Sequence, residues 1–291
     1  MNSHLTKSQP PDVAETKTTE AGDSSRPTPS TVGRRLRILL AEDNEINQKV
    51  ATYLLENRGH SVKVAENGLV ALSCLEVEHF DLVVMDVQMP EMSGFDATAA
   101  IRERESKTGT HIPIIAMTAH AMKGDRERCL AAGMDAYVPK PIQPAELFRI
   151  IDSLISPDAI PGPAAEEPQS IPEMPGKQLL ERSVLLASVG GNAEMLVKIV
   201  RLFMKRHPTL LSEIRDAASQ GDCSLLARAA HTLKGGGGAF LTKPAVEVLT
   251  RLVVMGREGN LTDVNAAITD LEREMTLIDS ELAALVTEGN S

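Results

Sequence analysis

Tryptophan is absent, and only two tyrosines and five phenylalanines occur in 291 residues, too few aromatic platforms for a surface that stacks bases or sugars. Positive charge is also short: 30 Lys and Arg face 40 Asp and Glu, for a net charge of -10. Binding to a phosphate backbone needs the opposite, a basic footprint, so direct contact with nucleic acid is not expected. The three cysteines, Cys74, Cys129 and Cys223, are odd in number and form no CxxC pair. That excludes a disulfide framework and a zinc site and leaves packing as their role. No apolar run approaches the roughly 18 residues that span a bilayer. The first 33 residues, rich in Ser, Thr and Pro, lack the apolar core of a secretory signal. A cytoplasmic chain without a membrane span is expected.

At about 150 residues per domain the length suggests two compact units. Composition marks their limits. Met1–Gly33 reads as a disordered tail, and Ser156–Lys177, with six prolines, reads as a linker that reaches about 60 Å if fully polyproline II or about 25 Å as a coil. Two segments remain, residues 34–155 and 178–289. The first alternates helix-length stretches with short continuous apolar runs at Ile38–Ala41, Val62–Ala65, Leu82–Met85, Ile114–Met117 and Ala136–Val138. Runs of that kind suit strands buried on both faces, hence an α/β domain with a five-stranded parallel sheet. The second has no strand signal and carries 3.6-residue periodicity at Leu179–Val189, Ala193–Gln220, Ser224–Gly237, Pro244–Glu258 and Asp263–Glu288. An all-α helical bundle follows. Pro208 is expected to kink or break the second of these stretches, and Asp222 and Thr262 to act as N-caps.

In open parallel sheets, chemistry collects beyond the carboxyl ends of the strands. There the sequence places Glu42 and Asp43 after the first strand, Asp86 after the third, Thr118 at the fourth and Lys140 after the fifth. Three crowded carboxylates raise one another's pKa unless a cation intervenes, and hard oxygen ligands suit Mg²⁺. Lys140 and the Thr118 hydroxyl suit a phosphoryl group on one carboxylate, with Asp86 as the nucleophile.

The pieces Glu42-Asp43-Asn44, Val84 to Pro90 with Gly94, Met117-Thr118-Ala119 and Lys140-Pro141 together resemble a response-regulator receiver domain, whose fold is flavodoxin-like. The resemblance implies phosphorylation of Asp86. It also implies Mg²⁺ held by Asp43, Asp86 and the Gln88 backbone carbonyl, with Glu42 assisting through water. Thr118 and Lys140 would take phosphate oxygens, and Tyr137 matches the switch aromatic. Gln88 and His120 fall at the pocket positions that vary.

In the second segment, Ala230 to Phe240 holds four consecutive glycines, each costing roughly 1 kcal/mol inside a helix relative to Ala. At about 100° per residue, Leu226, Ala229, Leu233 and Phe240 share a core face, and His231 stands opposite. Arg228, Lys234, Gly235 and Gly238 flank it, so the reading is a solvent-facing imidazole with a basic neighbour in Lys234 and docking clearance at Gly235 and Gly238. His231-Thr232-Leu233-Lys234-Gly235 resembles the active-site helix of histidine-containing phosphotransfer (HPt) domains. Gly236 to Ala239 and Val253 depart from that pattern. His4, His60, His79, His111 and His207 match no motif and are expected at the surface or in loops.

The two resemblances together imply a two-component phosphorelay intermediate. A sensor histidine kinase would supply the phosphoryl group, and His231 would exchange it with a receiver aspartate, including that of a downstream response regulator. No room exists for an ATP-binding kinase core, so a phosphotransfer protein rather than a kinase is expected. The alternatives are a docking module without phosphotransfer and the C-terminal part of a hybrid histidine kinase. An aspartate-nucleophile phosphatase is disfavoured, because that family has a second Asp where Gln88 stands.

Overall fold

The computed structural model describes residues 34–118, 123–155 and 180–288. The tail, the linker, His4 and His120 lie outside the described residues. The described residues from Arg35 onward belong to one compact unit built around two kinds of core.

The first half alternates β1 (Arg37–Ala41), α1 (Glu45–Asn57), β2 (Ser61–Ala65), α2 (Gly68–Val77), β3 (Leu82–Asp86), α3 (Gly94–Thr108), β4 (Ile114–Thr118), α4 (Lys123–Ala131), β5 (Ala136–Pro139) and α5 (Pro144–Ile155). The sheet is wholly parallel in the order β2-β1-β3-β4-β5, the flavodoxin-like order. Every residue of β3 and β4 is buried, as continuous apolar runs covered on both faces require. Alternate strand residues serve opposite sides. Ile38, Leu40, Val84, Ile115 and Met117 pack with Leu54 and Leu55 of α1 and Leu147 and Ile151 of α5. Leu39, Val83, Met85, Ile114 and Ala116 pack with Ala71 of α2, Ala97 and Ile101 of α3 and Cys129 of α4.

The second half is α-helical: α6 (Arg182–Ser188), α7 (Ala193–Gln220), α8 (Cys223–Gly237), a 3-10 turn (Gly238–Phe240), α9 (Lys243–Glu258) and α10 (Val264–Glu288). Its core joins Phe203, Ile214, Leu226, Leu249, Leu271 and Ile278. The buried Ile46 and half-buried Val50 of α1 pack into this same cluster, so α1 lies against α7 and α8. Among the described residues no single helix is long and apolar enough to cross a membrane.

Four expectations are corrected. Pro208 lies within one uninterrupted α7 and does not break it. Its missing N–H and ring clash cost about 3 kcal/mol, but Phe203, Leu210 and Ile214 are buried around it, each worth roughly 1.5–3 kcal/mol. Asp222 caps α8 by accepting from Leu225 N at 2.9 Å. Thr262 caps nothing, because its hydroxyl donates to Asn260 Oδ1 at 2.8 Å and Asp263 supplies the first helical carbonyl, to Ala267 N. His207 is buried, stacked on Phe203 at 5.0 Å, with Nδ1 3.1 Å from the Phe203 carbonyl and Nε2 3.2 Å from Asp279 Oδ2. His60 is also buried and accepts from Leu36 N. His79 and His111 are exposed. Cys129 is fully buried, whereas Cys74 and Cys223 are partly exposed.

Candidate functional site

Parallel pairing brings four strand ends to one edge of the sheet. Asp86 is the last residue of β3 and stands in register with Met117. Thr118 ends β4 opposite Pro139 of β5, and Lys140 follows directly. Glu42 and Asp43 follow β1, the other neighbour of β3. The sheet order thus places Asp86 centrally.

Close approach is built in at Gly94. A Cβ there would overlap the Asp86 carbonyl oxygen and lie 3.0 Å from Met85 Cγ, so only glycine lets α3 start against the end of β3. Gly94 N donates to Val87 O at 3.0 Å, and the Ser93 side chain caps the helix by accepting from Asp96 N. On the other side Asn44 caps α1: its Oδ1 accepts from Ile46 N at 3.0 Å and Asn47 N at 3.4 Å.

Glu42 is fully buried. Its Oε1 accepts from Asn44 N and Asn47 Nδ2, and its Oε2 lies 2.6 Å from Lys140 Nζ. The same ammonium lies 2.6 Å from Asp86 Oδ2, while Asp86 Oδ1 accepts from Gln88 N at 3.1 Å. Ligand oxygens of Glu42, Asp43 and Asp86 fall within 4.8 Å of one another. Burial and then Asp86 push Glu42 up to about 7 against the opposing pull of Lys140. Asp43 is pushed up to about 6 by burial and by Asp86. For Lys140, burial acts to lower the pKa but is outweighed by Glu42 and Asp86, which hold it above the usual lysine range. One ammonium therefore serves two carboxylates and leaves the third crowded, a donor set of hard oxygens short of positive charge that fits a divalent cation such as Mg²⁺. The Gln88 side-chain Oε1 is buried without a protein partner. Tyr137 is half-buried against the α3 and α4 side of the sheet, with the Arg126 guanidinium 6.0 Å from its ring centre.

His231 is brought to this mouth by the docking of α1 on α7 and α8. His231 and Asp43 line one cleft of about 420 Å³, together with Gln88, Thr118, Arg228 and Arg257. The imidazole is half-buried, which corrects the expected solvent-facing ring: the surface opposite the helix's core stripe meets the carboxylate mouth. Burial pushes its pKa down to about 4, Asp86 pulls the other way, and Lys140, Arg257 and Lys234 reinforce the lowering. At neutral pH the ring is uncharged and holds a free lone pair. Lys234 is itself lowered by burial and by Arg257.

The glycine run also differs in detail. Gly235, Gly236 and Gly237 close α8, and Gly238 opens the 3-10 turn, so the run sits at a helix end, where its propensity cost is smaller. A Cβ at Gly235 would meet nothing within 4 Å, and one at Gly238 would make only ordinary contact with Pro141. Close approach between the halves occurs instead at Gly236, beneath Asn44. Gly238 has φ +44, a left-handed conformation that favours glycine.

Sequence reasoning missed Asn44, Gly236 and Arg257. A signal for Arg257 was present in Gly256, a glycine inside an otherwise regular helix pattern. A Cβ there would lie 2.5 Å from Cys223 O and 2.8 Å from Ala227 Cβ, so α9 closes on α8 at that point and carries Arg257 alongside His231.

Comparison with known proteins agrees with this division. The response regulator receiver domain model matches residues 38–152 and the Hpt domain model residues 198–287. The sensor histidine kinase GacS of Pseudomonas protegens is 34% identical over 215 residues, covering 72% of this chain and 23% of that protein. Hybrid signal transduction histidine kinase I of Dictyostelium discoideum is 48% identical over 124 residues, covering 41% of this chain and 7% of that protein. The chain thus spans less than a quarter of either relative. A solved receiver domain of a sensor histidine kinase from Pseudomonas aeruginosa is 41% identical, covers 42% of this chain and 99% of its own, and has a TM-score of 0.39. The chain thus contains a response regulator receiver domain at residues 38–152 followed by an Hpt domain at residues 198–287.

Proposed function

We propose that the chain is a phosphorelay module in which a phosphoryl group passes between Asp86 and His231. The observation that carries this reading is the shared cleft, in which the neutral His231 ring faces the carboxylate mouth. A sensor histidine kinase supplies the phosphoryl group to Asp86, and a downstream receiver exchanges it with His231.

Asp86 Oδ attacks the phosphorus carried by the kinase's phosphohistidine and forms an acyl phosphate as the donor's P–N bond breaks, its electron pair returning to the donor ring nitrogen. In the following transfer the His231 lone pair forms the N–P bond while the Asp86 O–P bond breaks, its electron pair leaving as the carboxylate. The other ring nitrogen keeps its proton. Positioning does most of this work, because phosphoryl transfer asks little covalent chemistry of the protein. Lys140 exchanges one carboxylate contact for a phosphoryl oxygen, and the Thr118 hydroxyl takes another. Asp43, Asp86 and the Gln88 carbonyl would hold Mg²⁺, with Glu42 acting through water, and a cation bound there would supply neutralisation of charge on the phosphoryl oxygens. Lys234 and Arg257 face the phosphoryl group once it rests on His231. Tyr137 responds to the inward movement of Thr118.

The test is labelling by acetyl phosphate, with the label divided into alkali-sensitive acyl phosphate and alkali-stable phosphohistidine. With Mg²⁺ both forms appear. EDTA is expected to slow labelling by about 100-fold or more, since a metal supplies several kcal/mol of charge stabilisation. Equal labelling in EDTA contradicts the metal assignment, and acyl phosphate without any phosphohistidine contradicts the relay.

A further inference from the structure

The residue that follows Asp43 touches the residue that follows His231. Asn44 Nδ2 donates to the Thr232 carbonyl at 3.3 Å, and Asn44 is buried. Its Oδ1 is already committed to Ile46 N and Asn47 N as the cap of α1. The amide cannot flip without losing that cap, so the NH₂ is aimed at α8 by the local structure of the first domain. In an α-helix the Thr232 carbonyl is also the acceptor of Gly236 N–H. The carbonyl can be reached from outside because Gly236 has no side chain: a Cβ there would overlap Asn44 Nδ2 and lie 2.8 Å from Oδ1 and 2.9 Å from Cγ. The other glycines of the run offer no such fit.

We infer that Asn44 and Gly236 are a matched knob and notch that fix the register of His231 over the Asp86 mouth, making Gly236 a positioning residue that selects for an amide cap on the receiver's α1. The inference rests on the relay reading. Asn44 follows Asp43 in the chain and its N–H donates to Glu42 Oε1 at 3.2 Å, and Thr232 follows His231 in α8, so one contact couples the metal-side carboxylates to the nucleophilic ring. Enlarging the notch residue lifts α8 away and misplaces the ring.

Helix propensity and docking make opposite demands at Gly236. Alanine is the better helix former, so Gly236→Ala is expected to fold at least as well as the parent chain. In the full chain labelled with acetyl phosphate and Mg²⁺, Gly236→Ala is expected to leave acyl phosphate formation unchanged. Phosphohistidine formation should slow by about 10- to 100-fold, the cost of an ångström-scale misplacement. Asn44→Gly clears the space while glycine remains a serviceable cap. In the same chain as Gly236→Ala it is expected to recover most of the lost rate, a non-additivity that marks direct contact. Asn44→Ser alone, which keeps the cap but cannot reach Thr232, reads the hydrogen bond separately and is expected to slow phosphohistidine formation severalfold.

The outcomes separate the two layers of the argument. A parent chain that forms no phosphohistidine contradicts the relay itself. A parent chain that transfers normally, together with a Gly236→Ala chain that matches it, overturns the pair. A loss in Gly236→Ala that Asn44→Gly does not relieve overturns it too, because the defect then does not come from the overlap.

Discussion

Asp86→Asn is expected to reduce acetyl phosphate labelling of the chain to background, a fall of at least about 100-fold. The amide has nearly the shape of the carboxylate and leaves Lys140 its 2.6 Å contact with Glu42, so the loss is one of nucleophile rather than of fold. Asp86 is also the group whose charge raises both Glu42 and Asp43. Its removal relaxes the mouth and makes unfolding of the variant unexpected. The measurement is incorporated label with a thermal melt as control. Label that persists and maps to Asp43 contradicts the choice of nucleophile.

Gly94→Ala carries the largest expected effect on stability. The added methyl overlaps the Asp86 carbonyl oxygen, and neither partner is free to retreat. Met85 and Asp86 belong to the central strand and pair with β4, Met85 also pairs with Ala41 of β1, and α3 is anchored by its Ser93 cap. Overpacking of this kind costs about 2–4 kcal/mol. The melting transition of the receiver is expected to fall by roughly 10 °C or more. An unchanged transition would mean that the approach of α3 to β3 is looser than the structure has it.

Much of the α/β half was legible because its physics is local. Strands buried on both faces must be continuously apolar, and Ile38–Ala41, Leu82–Met85 and Ile114–Met117 mark β1, β3 and β4 to within a residue at either end. The parallel order then gathers Glu42, Asp43, Asp86, Thr118 and Lys140 without further assumption. The bundle was legible as periodicity, but not in its exceptions. Pro208 was read by its local cost, whereas the burial that outweighs that cost comes from helices distant in sequence. His207 matches no motif because its partner Asp279 belongs to α10. Thr262 lost its capping role to Asn260 and Asp263, a choice between neighbours that composition does not decide.

The docking of the halves was the least legible feature. A helical wheel puts His231 opposite the core stripe and so predicts solvent; it carries no information about a second domain meeting that face. Glycine clearance was assigned to Gly235 and Gly238 from angular proximity to His231. In the structure the tight contact between the halves lies one residue along, at Gly236, where a Cβ would overlap the side chain of Asn44. Arg257 reaches the cleft through a close helix crossing at Gly256, which only the packing of α9 on α8 makes visible.

The central claim, that one phosphoryl group moves between Asp86 and His231, is tested most directly by dividing the two residues between full-length chains. A His231→Gln chain is labelled on Asp86 with acetyl phosphate and Mg²⁺, freed of reagent and mixed with an unlabelled Asp86→Asn chain. The account predicts loss of acyl phosphate from the first chain and matching alkali-stable label on the second, with none when the second chain also carries His231→Gln. Label that decays only to inorganic phosphate, or that appears on the doubly substituted chain, would contradict it.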